Sequence, residues 1–133
     1  MKVALLATVL LLSGCTVADS YLLGKFDNNE YMLVTQIRTD AARAIQSCDN
    51  AQQSLISARA IADKTQLLEN YSEKLPHNSD VYDASKNLNQ IAQGLVKQYE
   101  TAKTVSTIFC KLKFGSLQSS ATAIQPIIGR RPR

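Results

Sequence analysis

Apolar side chains recur at helical spacing from residue 28 to Lys74, with no Gly or Pro between. Leu33, Ile37, Ala41, Ala44, Cys48, Ala51, Leu55, Ala58 and Ala62 step by alternating threes and fours after an opening pair of fours. This is a heptad seam held for about four repeats, the signature of a long helix with one buried face. Ile45, Ile56 and Ile61 widen it, and beyond Ala62 the register moves to Leu68, Tyr71 and Leu75. Asp27 followed by Glu30 resembles a capping box at the helix start, with Asn28 as a rival cap. Cys48-Asp49-Asn50 is the weakest point of the helix, because Asp and Asn bond to their own backbone in non-helical conformations. Pro76 inside LPHNSD, residues 75–80, predicts a turn, with Ser79 or Asp80 capping the next helix. A second seam follows: Val81, Ala84, Leu88, Ile91, Leu95, Gln98, Ala102, Val105, Phe109 and Leu112. Gly115 is the expected end of that helix. Leu117, Ala121, Ile124 and Ile128 predict a short third helix stopped near Pro126. The last residues, GRRPR, are expected to fray.

The N-terminus follows different rules. Met1-Lys2 precedes Val3–Leu12, which is apolar apart from Thr8. A bilayer span needs about 20 apolar residues, so this run is too short to cross one and fits a secretory h-region. Leu12-Ser13-Gly14-Cys15 then resembles the lipobox of bacterial lipoproteins, in which the Cys is lipid-modified and becomes the first mature residue. The resemblance covers residues 1–16. It implies lipidation at Cys15, palmitate among its acyl chains, and a membrane partner reached through the anchor. Each buried CH₂ of those chains adds about 0.8 kcal/mol, which makes triacyl anchoring effectively permanent. Thr16 after the Cys resembles the outer-membrane-sorted majority of that family, facing the periplasm. An Asp there would point to the alternative, the inner membrane. The chain therefore divides into a signal peptide at 1–14, a lipidated tether at 15–27, a helical domain at 28–128 and a basic tail at 129–133.

Composition supports helices. Trp is absent, and Tyr and Phe number five and three. Ala, Gln, Ser, Thr and Asn dominate, while Gly and Pro are rare until the end. An exported chain that spends one cysteine on its anchor has Cys48 and Cys110 left, and two thiols in an oxidising compartment pair. Both stand equidistant from position 79, inside the independently predicted turn. The expected fold is thus all-α: an antiparallel helical hairpin of coiled-coil type, packed by a short third helix and stapled by a Cys48–Cys110 disulfide. Such a hairpin reaches about 70 Å at 1.5 Å per residue. The alternative is a compact four-helix bundle with a break near Asn50.

No catalytic set emerges. His77 is the single histidine and sits in the turn, so no Ser-His-Asp or Cys-His triad has a second centre to choose. No CxxC spacing suggests a metal, and Glu69/Glu73 and Asp80/Asp83 read as solvated helix faces. The chain is expected to be a non-enzyme without metal or cofactor. Charge is more informative. Residues 15–110 carry nine Lys or Arg against eleven Asp or Glu, whereas residues 111–133 carry five basic residues and no acid. Arg130, Arg131 and Arg133 are candidates for contact with anionic lipid, cell-wall polymer or an acidic partner, against a merely solubilising tail. Nucleic acid is not expected, because no aromatic residues interleave with the charge. Tyr31 and Val34, in an apolar run at a helix start, are the other candidate partner-binding residues, against a generous core.

These readings converge on an envelope adaptor or assembly lipoprotein. Helical pilotin lipoproteins are similar in size, anchor and cysteine count. The alternative is a phage-encoded outer-membrane lipoprotein acting in lysis or superinfection exclusion. Spanin subunits are similar in lipobox and periplasmic domain, although often richer in proline than this chain. Cys15→Ser is expected to abolish labelling of the protein with radioactive palmitate and to release it from washed membranes; undiminished labelling would contradict the lipobox reading.

Overall fold

The computed structural model describes residues 23–133; the signal peptide, Cys15 and the tether up to residue 22 lie outside the described residues. The described chain is all-α, with helices α1 (Asn28–Ala44), α2 (Ala51–Lys74), α3 (Ser79–Thr101) and α4 (Thr107–Gly129) and a 3₁₀ turn at Ile45–Ser47. Asp27 caps α1 by accepting the Glu30 N–H at 2.9 Å. Asn50 caps α2 through the Gln53 N–H, and Ser106 caps α4 through the Phe109 N–H. Each cap satisfies a donor that the first helical turn leaves free.

The extended hairpin is not what forms. The chain breaks at Asp49-Asn50 and again at Ala102–Ser106, so the hairpin is folded in half into the four-helix alternative. The first break is the one that Asp and Asn announced. The second lies in Thr101–Thr107, where Thr and Val lose rotamer freedom in a helix and Ser106 is poised to cap the next one. Folding in half has a physical reason. A first seam built largely of Ala buries little area against one partner. Doubling back gives each helix two neighbours: α1 packs on α4 and α2, and α3 packs on α2 and α4. The predicted short third helix is correspondingly long, running through Pro126 to Gly129. The hydrogen bond that proline removes is offset where α4 docks Ile124 and Ile128 into the core and Gln125 donates to Thr35 Oγ1 at 2.9 Å.

Cross-helix pairs show the antiparallel order. Cys48 meets Cys110, Thr35 meets Gln125, and Glu30 meets Arg131 along α1 and the chain end. On α2 and α3, Arg59 meets Glu100 and Thr65 meets Asn89. The bundle is therefore up-down-up-down, with short loops. The core holds Ile37, Ile61, Leu68, Leu88, Leu95, Phe114, Leu117 and Ile128, all at most 1 % exposed, interleaved with Ala41, Ala58, Ala92 and Ala121. Seen against the predicted seams, Ile37, Ala41, Ala44, Cys48, Ala58 and Ala62 are buried, but Ala51 is exposed. The second break turns α4, so Leu112 faces solvent and Cys110, Phe114 and Leu117 face inward.

The disulfide is present between Cys48 and Cys110, with a Cα–Cα distance of 5.7 Å. It joins the residue that closes the 3₁₀ turn after α1 to the first turn of α4, and so ties together the first and last helices of the bundle. Closing a loop with a sequence separation of 62 corresponds to about 4 kcal/mol on the chain-entropy account. Replacing both cysteines by Ala is expected to lower unfolding free energy by about 2–5 kcal/mol, measured by urea titration with far-UV circular dichroism; an unchanged midpoint would show that the bundle does not need the bridge.

Candidate functional site

The two ends of the bundle differ in kind. One carries the disulfide. The other, the tethered end of the expectation above, gathers Leu23–Glu30, Ser72–Asp80 and the C-terminal residues.

At the tethered end sits a carboxylate that no water reaches. Glu30 is 0 % exposed, and a buried charge of this kind is stable only when paired and hydrogen-bonded. Ser72 Oγ donates to its Oε1 at 2.6 Å, and Asn78 Nδ2 donates to the same oxygen at 2.7 Å. Arg131 Nη1 lies 3.4 Å from Oε2 and also donates to Asn78 Oδ1, while Nη2 donates to Asp80 Oδ1 at 2.7 Å. The second amide proton of Asn78 goes to the Ser72 carbonyl at 3.0 Å. Every polar group of Asn78 is thereby used. This is why Asn78, the residue before α3, makes no side-chain cap. Neither Ser79 nor Asp80 replaces it as N-cap; Asp80 instead accepts the Val81 N–H at 2.9 Å and holds Arg131. His77, at φ 53°, takes the left-handed conformation that lets the turn close over this cluster.

The basic tail is therefore not frayed. Arg131 is 6 % exposed and tied to α1, the α2–α3 turn and α3. The Phe26 N–H donates to the Pro132 carbonyl at 2.8 Å, so the tether's end and the chain's end run side by side. Gly24 is the residue that permits this approach. A Cβ there would stand 2.9 Å from the His77 carbonyl and 3.0 Å from Arg131 Nη1. The Arg133 guanidinium lies 5.0 Å from the Phe26 ring centre, and Phe26 in turn packs against Tyr31 at 5.7 Å. Between these segments lies a cleft of about 510 Å³ with Phe26, Leu75 and Pro132 among its apolar walls and Lys25, His77 and Arg133 among its polar ones.

Of the candidate contact residues, two are core. Val34 is 0 % exposed and Arg131 is committed to Glu30 and Asp80, so neither offers a surface to a partner. Apolar excess at a helix start had a simpler cause at Val34, which lies on the buried stripe Glu30, Val34, Ile37, Ala41, Ala44. Tyr31 is half-buried against Phe26. Arg130 and Arg133 are exposed. Cys15 lies outside the described residues. His77 is exposed in its turn, and among the described residues no group of three His, Cys, Asp or Glu is placed to hold a metal ion. No helix among the described residues is long and apolar enough to cross a membrane.

Sequence reasoning missed Glu30 as a core residue, reading it as the second half of a capping box. The signal was available: Glu30 stands four residues before Val34, in step with 37, 41, 44 and 48. It also missed the disulfide end's surface. Ile108 and Leu112 are 74 % and 67 % exposed. At about 3.6 residues per turn they fall on the side of α4 opposite its buried positions. Lys111 and Lys113 flank them, Lys103 precedes them in the loop, and no acid follows Glu100 in the chain. Comparison with protein-family models, with curated proteins and with solved structures found no match for this chain.

Arg131→Met is expected to destabilise the fold by about 3–5 kcal/mol, because it leaves Glu30 buried without its cation. Adding Glu30→Gln should recover a large part of that loss. A urea double-mutant cycle reads the coupling, and additive effects would mean that the pair is not a unit.

Proposed function

We propose that this chain is a lipid-anchored envelope protein, outer-membrane-bound and facing the periplasm, that acts by contact as an adaptor or assembly factor. The observation that carries the reading is the pair Ile108 and Leu112, large aliphatic side chains standing in solvent on the outer face of α4 at the end remote from the tether. Large apolar side chains grouped on a surface and rimmed by polar residues are the usual mark of a protein contact. The rim here is basic, supplied by Lys103, Lys111 and Lys113, and so suits a partner whose apolar contact surface is bordered by acids. The disulfide supports an exported protein, since such bridges persist in oxidising compartments. From Gly129 at the other end of α4 back to Ile108–Leu112, at about 1.5 Å per residue, the anchored bundle holds this patch about 30 Å beyond its tethered end. That is less than half the reach of the extended hairpin. A partner is thus engaged close to the membrane rather than far across the periplasm.

Photo-crosslinking amino acids at Ile108 and Leu112, introduced in cells, are expected to give a defined adduct with one envelope protein. Lys111→Glu with Lys113→Glu should reduce its yield. Ile108→Ser with Leu112→Ser should leave stability within about 0.5 kcal/mol, as for other surface changes, while abolishing co-purification of that protein. No adduct from either probe would remove the contact reading.

A further inference from the structure

The tethered end has chemistry that neither the core nor the α4 patch uses. Cations and acids there are equal in number, but their pairing leaves some of each exposed. Glu30 and Asp80 are held by Arg131, and Glu73 pairs with Lys74. Asp27 caps α1 and accepts from the Tyr71 hydroxyl at 3.0 Å. Neither Asp27 nor Asp83, one turn into α3, has a cation in salt-bridge range among the described residues. Lys25, Arg130 and Arg133 are exposed, and among the described residues no carboxylate lies in salt-bridge range of them. These three cations are not loosely strung on a tail. Arg131 locks the tail into the fold, the Phe26–Pro132 bond lays the tether's end along it, and Arg133 is seated over Phe26. Lys25 and Arg133 therefore line one cleft with Phe26, Leu75 and Pro132 among its apolar walls, Asp27 as its one carboxylate, and Leu23, 49 % exposed, at its edge.

This cleft also has a fixed address relative to the anchor. Only eight residue steps separate Cys15 from Leu23, a span of at most about 29 Å even when fully extended. We propose that the tethered end of the bundle is a docking face for the anionic phospholipid surface of the membrane that holds the anchor, with headgroup phosphate taken between Lys25 and Arg133. This inference rests on the anchored reading above. Basic groups held near a charged leaflet draw it in, and apolar side chains between them enter the headgroup layer. Docking there orients the bundle with its helices away from the membrane and presents the Ile108–Leu112 patch outward. The anchor supplies permanence and the cleft supplies orientation.

The test uses the mature chain, residues 15–133 with Cys15→Ser, sedimented with vesicles of phosphatidylglycerol in phosphatidylcholine and with pure phosphatidylcholine vesicles. Binding is expected to be stronger to the anionic vesicles and to weaken with salt. Lys25→Gln with Arg133→Gln should lower it by about 25-fold, at about fivefold for each basic group removed from the surface. Lys25→Arg with Arg133→Lys should retain it, and Lys86→Gln with Lys97→Gln on α3 should leave it unchanged. Equal binding by the Lys25/Arg133 double variant and the parent would overturn the proposal. So would an equal loss in the α3 control, which would mean that overall charge alone is read. Charge-dependent binding at the cleft supports docking whether or not the wild-type chain takes up palmitate, so palmitate labelling reports on the anchor separately.

Discussion

A carboxylate without access to water organises one whole end of this bundle. Glu30 must be compensated, and its partners come from three separate places: Ser72 at the end of α2, Asn78 in the turn, and Arg131 beyond α4, which Asp80 of α3 helps to hold. A buried ion pair of this kind adds little net stability over an apolar replacement, yet removing one member is costly. Its contribution is to register. It fixes where the α2–α3 turn closes, commits the side chain that would otherwise cap α3, and draws the C-terminal residues in beside the tether. The exposed cations of that end owe their positions to it.

The opposite end is held covalently. Helices with Ala at so many core positions approach closely but bury modest area, so a bundle of this size gains from a staple. The bridge between Cys48 and Cys110 meets that need at the end where the chain passes through two loops. The polar lock and the disulfide thus divide the molecule between them. Each end is then free to carry a surface of its own: basic and recessed beside the tether, aliphatic and outward on α4. For the lipid-anchored contact protein proposed above this polarity has a use, since anchoring alone sets distance and not direction.

The fold was legible in part. Helical period, the Pro76 turn, the Asp27 cap and the cysteine spacing are local or index-based signals, and each matches the structure. Cys48 and Cys110 pair as their symmetry about position 79 implied, because folding a hairpin in half keeps its outer arms, α1 and α4, antiparallel. The second break was not read, although Thr101, Thr104, Val105 and Thr107 weaken a helix there. A continuous seam from Gln98 to Leu112 hid it. The seam placed Leu112 inside, whereas the break rotates α4 and turns Leu112 out. Val34 and Arg131 were candidates for partner contact, the first against a generous core and the second against a solubilising tail; both are buried, Val34 on the stripe of its own helix and Arg131 because Glu30 and Asp80 hold it.

The amino-acid sequence by itself determined the elements: all-helical segments, their caps, the turn at Pro76 and the pairing of two cysteines. These follow from side-chain period, backbone preference and covalent chemistry, which act over a few residues or on unique partners. Tertiary structure alone decided which face of each helix is inside and which charges are spent. Glu30 and Arg131, 101 residues apart, neutralise each other only once four helices close. What remains exposed at Lys25, Arg133, Ile108 and Leu112 is the remainder after that closure, and no local pattern encodes a remainder.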